Sequence, residues 1–131
     1  MARVLVVDDD PASRLTLQTL LEAGGYSVDS AASAAEAVGK LDERQYELVL
    51  SDLGMESPDA GYRVLHYARH LAYRPATALV TTEKSSTAAG SSAADEGALV
   101  EPEGVPDLLD HVAHLISERA TRRMRRTRRL S

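Results

Sequence analysis

Two short apolar runs that end in carboxylates constrain the fold of this chain more than any other feature. The run VLVV at positions 4–7 is followed by Asp8 and Asp9, and the run LVLS at 48–51 is followed by Asp52. Runs of this length and composition are typical of strands that are buried on both faces. If the two strands are parallel neighbours, their carboxyl ends bring the three acids into one crevice, where open α/β sheets place their sites. The sequence therefore predicts an α/β fold with an acidic site at one edge of a sheet.

Carboxylates grouped in this way need a counter-charge, because like charges at close range oppose one another's ionised form. A hard divalent cation with oxygen ligands supplies that charge, and Mg²⁺ suits a few carboxylates and several waters. The alternative is that the acids only cap the next helix, since Asp is a favourable N-cap and Pro11 fits the first helical turn. We expect Asp10 to be the cap, and Asp8, Asp9 and Asp52 to form a metal site.

Three segments resemble the receiver domain of response regulators, the phosphate-accepting half of two-component signalling. The segment VLVVDDDPASRLTLQTLLEAGGY resembles the opening of that domain, and ELVLSDLGM resembles its phosphoacceptor strand and the turn that follows. The segment ATALVTT resembles the strand that ends in the family's threonine. The resemblance extends over residues 1 to about 116, and the first two motifs are specific when they occur together.

The resemblance implies a flavodoxin-like (βα)5 fold, a doubly wound parallel sheet with strand order 2-1-3-4-5. It implies that Asp52 accepts a phosphoryl group, that Asp9 binds Mg²⁺ directly and that Asp8 helps through water. The backbone carbonyl of Gly54 would be a further metal ligand. Thr81 would donate a hydrogen bond to a phosphoryl oxygen.

The sequence departs from the family's pattern at four places around this site. Glu101 stands where receivers usually carry a lysine that contacts the phosphoryl group, and this anion should repel a phosphodonor. Ala98 stands where a Tyr or Phe ring usually reports phosphorylation. Thr82 stands where the family usually has a small residue, and its side chain should narrow access to the acceptor Asp52. Glu56 stands where the turn after the acceptor usually has Pro.

Apolar periodicity and turn residues predict five strands that alternate with helices. Such alternation predicts right-handed crossovers and helices on both faces of a parallel sheet. The predicted strands lie at about 3–7, 27–31, 47–51, 77–81 and 98–100, and the predicted helices at about 11–23, 34–43, 61–72 and from 106 onward. The segment 85–94, rich in Ser, Ala and Gly, is a poor helix candidate.

Charge divides the chain of 131 residues into an acidic body and a basic end. All 20 acidic residues lie at or before residue 118, whereas seven of the 15 basic residues lie from 119 onward. We therefore predict a receiver domain at 1–118 and an arginine-rich tail or helix extension at 119–131. If the last helix continues, arginines at 119, 122, 123, 126 and 129 would form a stripe that could bind nucleic acid or another acidic partner. The favoured alternative is a solvated end, or one that folds back on the acidic body.

The remaining composition predicts a cytoplasmic protein without a membrane anchor. The chain has no cysteine, and it shows no leader and no apolar stretch of membrane-spanning length.

Three functions remain open at this point. The first is a single-domain receiver in a phosphorelay, which takes a phosphoryl group from a histidine kinase or a phosphotransfer protein and acts through a downstream protein partner. The second is a pseudo-receiver, a binding module that signals without phosphorylation. The third is nucleic-acid binding through the arginine-rich end, which is not favoured. We expect no enzyme, beyond weak self-phosphorylation and dephosphorylation, and the sequence does not predict an oligomeric state.

Overall fold

The computed structural model describes residues 2–52, 59–80, 98–100 and 105–130. Within these ranges, side chains are described for all residues except 98–100, 105–108 and 126–130. Within these ranges strands and helices alternate along the chain up to the fourth strand. The strands are β1 (Arg3–Val7), β2 (Ser27–Ala31), β3 (Leu48–Asp52), β4 (Ala76–Val80) and β5 (Ala98–Val100). The described helices are α1 (Pro11–Ala23), α2 (Ala34–Glu43), α3 (Ala60–Arg69) and α4 (Val105–Leu130).

The five strands form one parallel sheet in the order β2-β1-β3-β4-β5, which confirms the predicted flavodoxin-like topology. In the register of the central pairs, Val7 lies opposite Ser51 and Asp52 lies opposite Val80. Strands β1 and β3 therefore end side by side, and the residues that follow them meet at the same edge.

Side chains of the central strands alternate between two buried layers, as expected for a sheet covered on both faces. Leu5 and Val7 of β1 lie in the layer beneath α2 and α3, whereas Val4 and Val6 lie in the layer beneath α1 and α4. All four are at most 1% exposed. This two-sided burial explains why the sequence reads as continuous apolar runs rather than as alternating polar and apolar residues.

Capping residues fix where the helices begin. The Asp10 carboxylate caps α1 by accepting from the backbone N–H of Ser13 at 3.2 Å, and Pro11 occupies the first helical turn. Ser33 caps α2 by accepting from Glu36 N–H at 3.1 Å, while Glu36 accepts in return from Ala32 N–H at 3.0 Å. The prediction that Asp10 is a cap is correct.

Leu15 of α1 is exposed, although three other leucines of this helix face the core. Leu17 and Leu21 are buried in the core and Leu20 packs against it, but Leu15 is 65% exposed. It is two residues before Leu17, so it lies well off the buried side of the helix.

Helix α4 continues through the arginine-rich segment to Leu130. Its inward side carries Leu109, Val112, Leu115 and Ile116, and the next inward position is Arg119, which is only 8% exposed. Arg119 donates from Nη2 to the carbonyl of Tyr73 at 2.8 Å and from Nε to the carbonyl of Arg74 at 3.0 Å. Arg119 is therefore an anchor of the domain rather than part of an exposed stripe. None of the described helices is long and apolar enough to cross a membrane.

Candidate metal site

The ends of β1 and β3 bring together the three aspartates that the sequence singled out. One carboxylate oxygen from each of Asp8, Asp9 and Asp52 lies within 4.8 Å of the other two. Asp8 is fully buried, Asp52 is 5% exposed, and Asp9 is exposed. The site therefore has two carboxylates set into the crevice and one at its rim, open to solvent.

Burial and neighbouring negative charges disfavour the ionised form of Asp8. Its Oδ1 accepts from the backbone N–H of Asp10 at 2.9 Å, but its buried Oδ2 has no hydrogen-bond partner among the described residues. Burial raises the pKa of Asp8 to about 6, the Asp10 N–H opposes this rise, and the charges of Asp52 and Asp9 add to it. A buried carboxylate with an unused oxygen and anionic neighbours is stabilised in its charged form by a nearby cation.

The donor set fits Mg²⁺. It consists only of oxygen ligands, and its exposed rim leaves room for the waters that this ion keeps. The buried Asp8 Oδ2 supplies a ligand atom that no described protein group uses. The prediction that Asp8, Asp9 and Asp52 are close enough to share a cation therefore agrees with the geometry.

Close packing of α3 holds the end of β3 in place. A Cβ atom added at Gly61 would lie 2.6 Å from the backbone oxygen of Asp52 and 3.2 Å from Ser51 Oγ. Only glycine lets the first turn of α3 approach the strand this closely, because a contact of 2.6 Å with backbone cannot be relieved by moving a side chain. Asp52 is thus positioned by the packing of backbone against backbone.

Two further residues at this edge were not identified from the sequence. Arg14 of α1 donates from Nη1 to the backbone carbonyl of Asp8 at 2.9 Å. Ser51 Oγ is buried and has no hydrogen-bond partner in the described part of the chain. A polar residue inside an apolar strand was the available signal for Ser51. The position of Arg14 six residues after Asp8, one turn into a helix, carried no comparable signal.

Several predicted site residues lie outside the described residues. These are Gly54, Thr81 and Glu101, together with Thr82 and Glu56. The strands that precede two of them are described: β4 ends at Val80 and β5 ends at Val100, and these two residues are paired in register. The roles predicted for Gly54, Thr81 and Glu101 stay predictions.

Comparison with known proteins identifies the family. The model of the response regulator receiver domain matches residues 4–112. The gliding motility regulatory protein of Myxococcus xanthus is 40% identical over 78 residues, which are 60% of this chain and 10% of that protein. The transcriptional regulatory protein ResD of Bacillus subtilis is 33% identical over 101 residues, 76% of this chain and 42% of that protein. The chain thus spans less than half the length of these relatives.

A solved structure of similar size supports the same assignment. The response regulator TrrA of Thermotoga maritima, solved in complex with Mg²⁺–BeF, is 31% identical to this chain with a TM-score of 0.71. The match covers 88% of this chain and 99% of the Thermotoga chain. The similarity therefore extends over nearly a whole receiver domain.

Proposed function

We propose that this chain, which belongs to the response regulator receiver family, accepts a phosphoryl group on Asp52 in the presence of Mg²⁺ and signals through protein contacts. The donor would be a histidine kinase or a phosphotransfer protein. The observation that carries the proposal is the grouping of Asp52 with Asp8 and Asp9, with one oxygen of each within 4.8 Å of the others at the carboxyl edge of the sheet.

In the proposed reaction, a carboxylate oxygen of Asp52 attacks the phosphorus of a phosphohistidine. The new O–P bond forms as the N–P bond to the imidazole breaks, and the imidazole takes up a proton. Asp8 and Asp9 would hold Mg²⁺, which would supply positive charge against the phosphoryl oxygens. Asp52 is held in place for attack by the close contact between Gly61 and its backbone.

Residues that depart from the family pattern are expected to slow this reaction. Glu101 would bring a negative charge where receivers usually have a lysine, and Thr82 would narrow the approach to Asp52. These substitutions support a second candidate, a pseudo-receiver that binds its partner without phosphorylation. In either case we propose that the chain is a signalling domain and not an enzyme, beyond weak self-phosphorylation and dephosphorylation.

Nucleic-acid binding through the arginine-rich segment has less support. Arg119 is buried and donates to two backbone carbonyls, so it is not available as a phosphate contact. Beyond it, Arg122, Arg123 and Arg125 are exposed, and charge alone is weak evidence for nucleic-acid binding.

The proposal is tested by incubating the protein with acetyl phosphate and Mg²⁺ and separating the phosphorylated form on a Phos-tag gel. We expect slow labelling of the natural sequence and none of Asp52→Asn. The double variant Glu101→Lys/Thr82→Ala should be labelled faster, on the order of tenfold, because a cation replaces the repelling charge. Labelling that persists in Asp52→Asn would contradict the choice of acceptor. No labelling even of the double variant would favour the pseudo-receiver.

A further inference from the structure

A second concave site lies at the amino end of β4, whereas the aspartates lie at the carboxyl ends of the strands. It is a cleft of about 420 Å³ whose charged lining consists of Arg69, Arg74, Arg122 and Glu118. The rest of the lining is less polar and comprises Pro75, Ala76, Thr77 and Leu115. Because Ala76 begins β4 and its fourth successor, Val80, pairs with Asp52, the two sites are separated by about 13 Å of strand.

The charged groups of the cleft favour an anion. Three arginines and one glutamate line the cleft, and the Glu118 carboxylate lies 3.1 Å from Nε2 of His114. The planar guanidinium group can donate to two oxygens of a phosphate group. Several arginines around one cleft therefore suit a phosphate ligand better than a ligand with a single carboxylate.

The loop that carries Arg74 is held in an unusual conformation. Arg74 has a φ of +41°, in the left-handed region that favours glycine or asparagine over a long side chain. Its carbonyl and that of Tyr73 both accept hydrogen bonds from Arg119, which is nine-tenths buried behind the loop. The two hydrogen bonds from Arg119 hold Arg74 in place at the rim of the cleft.

We propose that this cleft binds a small phosphorylated ligand of nucleotide size. The phosphate would contact Arg74 and Arg122, and the less polar part of the ligand would lie against Pro75 and Leu115. The volume is within the range of small-molecule sites. A concave site suits a compact ligand, whereas the phosphates of a polymer are contacted by arginines spread over an extended surface. This site is independent of phosphorylation at Asp52.

The test uses AMP and pyrophosphate as probes, with EDTA present so that binding at the aspartates through a divalent ion does not contribute. Titrations are followed by calorimetry and by NMR of the backbone amides. We expect saturable binding that shifts the amide resonances of Ala76 and Thr77. Arg122→Gln and Arg74→Gln should each weaken binding about tenfold, the loss of one bidentate contact.

Arg125→Gln is the matched control, because it removes the same charge from the exposed side of α4 outside the cleft lining. It should change the affinity less than Arg122→Gln does, because Arg125 does not line the cleft. Arg122 is also exposed on α4, so its variant should keep the fold, which circular dichroism verifies. The proposal would be overturned if neither AMP nor pyrophosphate bound at concentrations up to about 5 mM. An equal loss of affinity in Arg125→Gln would also overturn it. So would a DNA duplex that binds more tightly than AMP and loses affinity in Arg125→Gln.

Discussion

Asp8 shows how one buried carboxylate links the metal site to stability. Its pKa is raised to about 6 from an ordinary 3.8, mainly by burial. The folded state therefore binds more protons than the unfolded state between these values, and the free energy of unfolding falls as the pH rises through this window. At neutral pH the ionised Asp8 lowers stability by up to roughly 3 kcal/mol.

Replacing Asp8 by Asn should consequently stabilise the metal-free protein. The amide oxygen can still accept from the Asp10 N–H, and the buried negative charge is gone. We expect a gain of about 1–3 kcal/mol at pH 8 and almost none at pH 4, measured by urea denaturation in EDTA. Asp9→Asn is the control, because Asp9 is exposed and its variant should gain much less. Destabilisation by Asp8→Asn at pH 8 would show that the ionised carboxylate is held by interactions not identified at this site.

At the scale of the elements, two glycines allow a comparison of contacts to backbone with contacts to a side chain. An added Cβ atom would come equally close to its nearest neighbour at both positions. A Cβ at Gly61 would lie 2.6 Å from the backbone oxygen of Asp52, and a Cβ at Gly24 would lie 2.6 Å from Cδ2 of Leu109. Gly61→Ala must displace α3 from β3, so we expect a loss of about 1–3 kcal/mol and weaker divalent-ion binding. Gly24→Ala should lower the free energy of unfolding by less, because the Leu109 side chain can change rotamer.

Gly39→Ala completes this comparison, since nothing lies within 4 Å of the added atom and α2 is otherwise regular. It should gain about 0.5–1 kcal/mol from helix propensity. Thermal denaturation of the three variants gives the ranking. Equal losses at Gly61 and Gly24 would show that the end of β3 can move as easily as a leucine side chain.

Arg119 provides the corresponding prediction for α4. Arg119→Ala removes two charge-assisted hydrogen bonds to the carbonyls of Tyr73 and Arg74, and should lower the free energy of unfolding by about 1.5–3 kcal/mol. Arg125→Ala, on the exposed side of the same helix, should change it by less than about 0.5 kcal/mol. Chemical denaturation distinguishes the two. Equal small effects would mean that the loop carbonyls are satisfied by water once Arg119 is removed.

These elements also show which parts of the fold could be predicted from the sequence. The strands and the cap at Asp10 were correct, because buried parallel strands and helix starts depend on local patterns. The grouping of Asp8 with Asp52 followed from the strand order that the family resemblance implied. Arg119 was misplaced because it was counted with the basic end, although its spacing after Leu115 and Ile116 puts it on the inward side of α4. The cleft could not be predicted, because it joins α3, β4 and α4 in three dimensions.

At the scale of the whole molecule, binding of Mg²⁺ should be coupled both to global stability and to pH. The ion would bind the folded aspartate site and not the unfolded chain, so it should raise the free energy of unfolding by mass action. With a dissociation constant of about 1 mM, about 10 mM free Mg²⁺ adds roughly 1.4 kcal/mol. Asp8 must lose its proton to act as a ligand, and its pKa is about 6. The stabilisation should therefore be larger at pH 8 than at pH 5.

Thermal denaturation with and without Mg²⁺ at the two pH values measures this coupling in the intact chain. Asp9→Ala should lose most of the Mg²⁺-dependent shift at pH 8, whereas Arg125→Gln, far along α4 from the aspartates, should keep it. The Asp9→Ala variant is decisive, because Mg²⁺ bound nonspecifically to the acidic surface would stabilise this variant as much as the natural sequence. A shift that is the same at pH 5 and pH 8 would mean that Asp8 does not change protonation when the ion binds. The raised pKa would then be a consequence of folding alone, without a role in the function of the site.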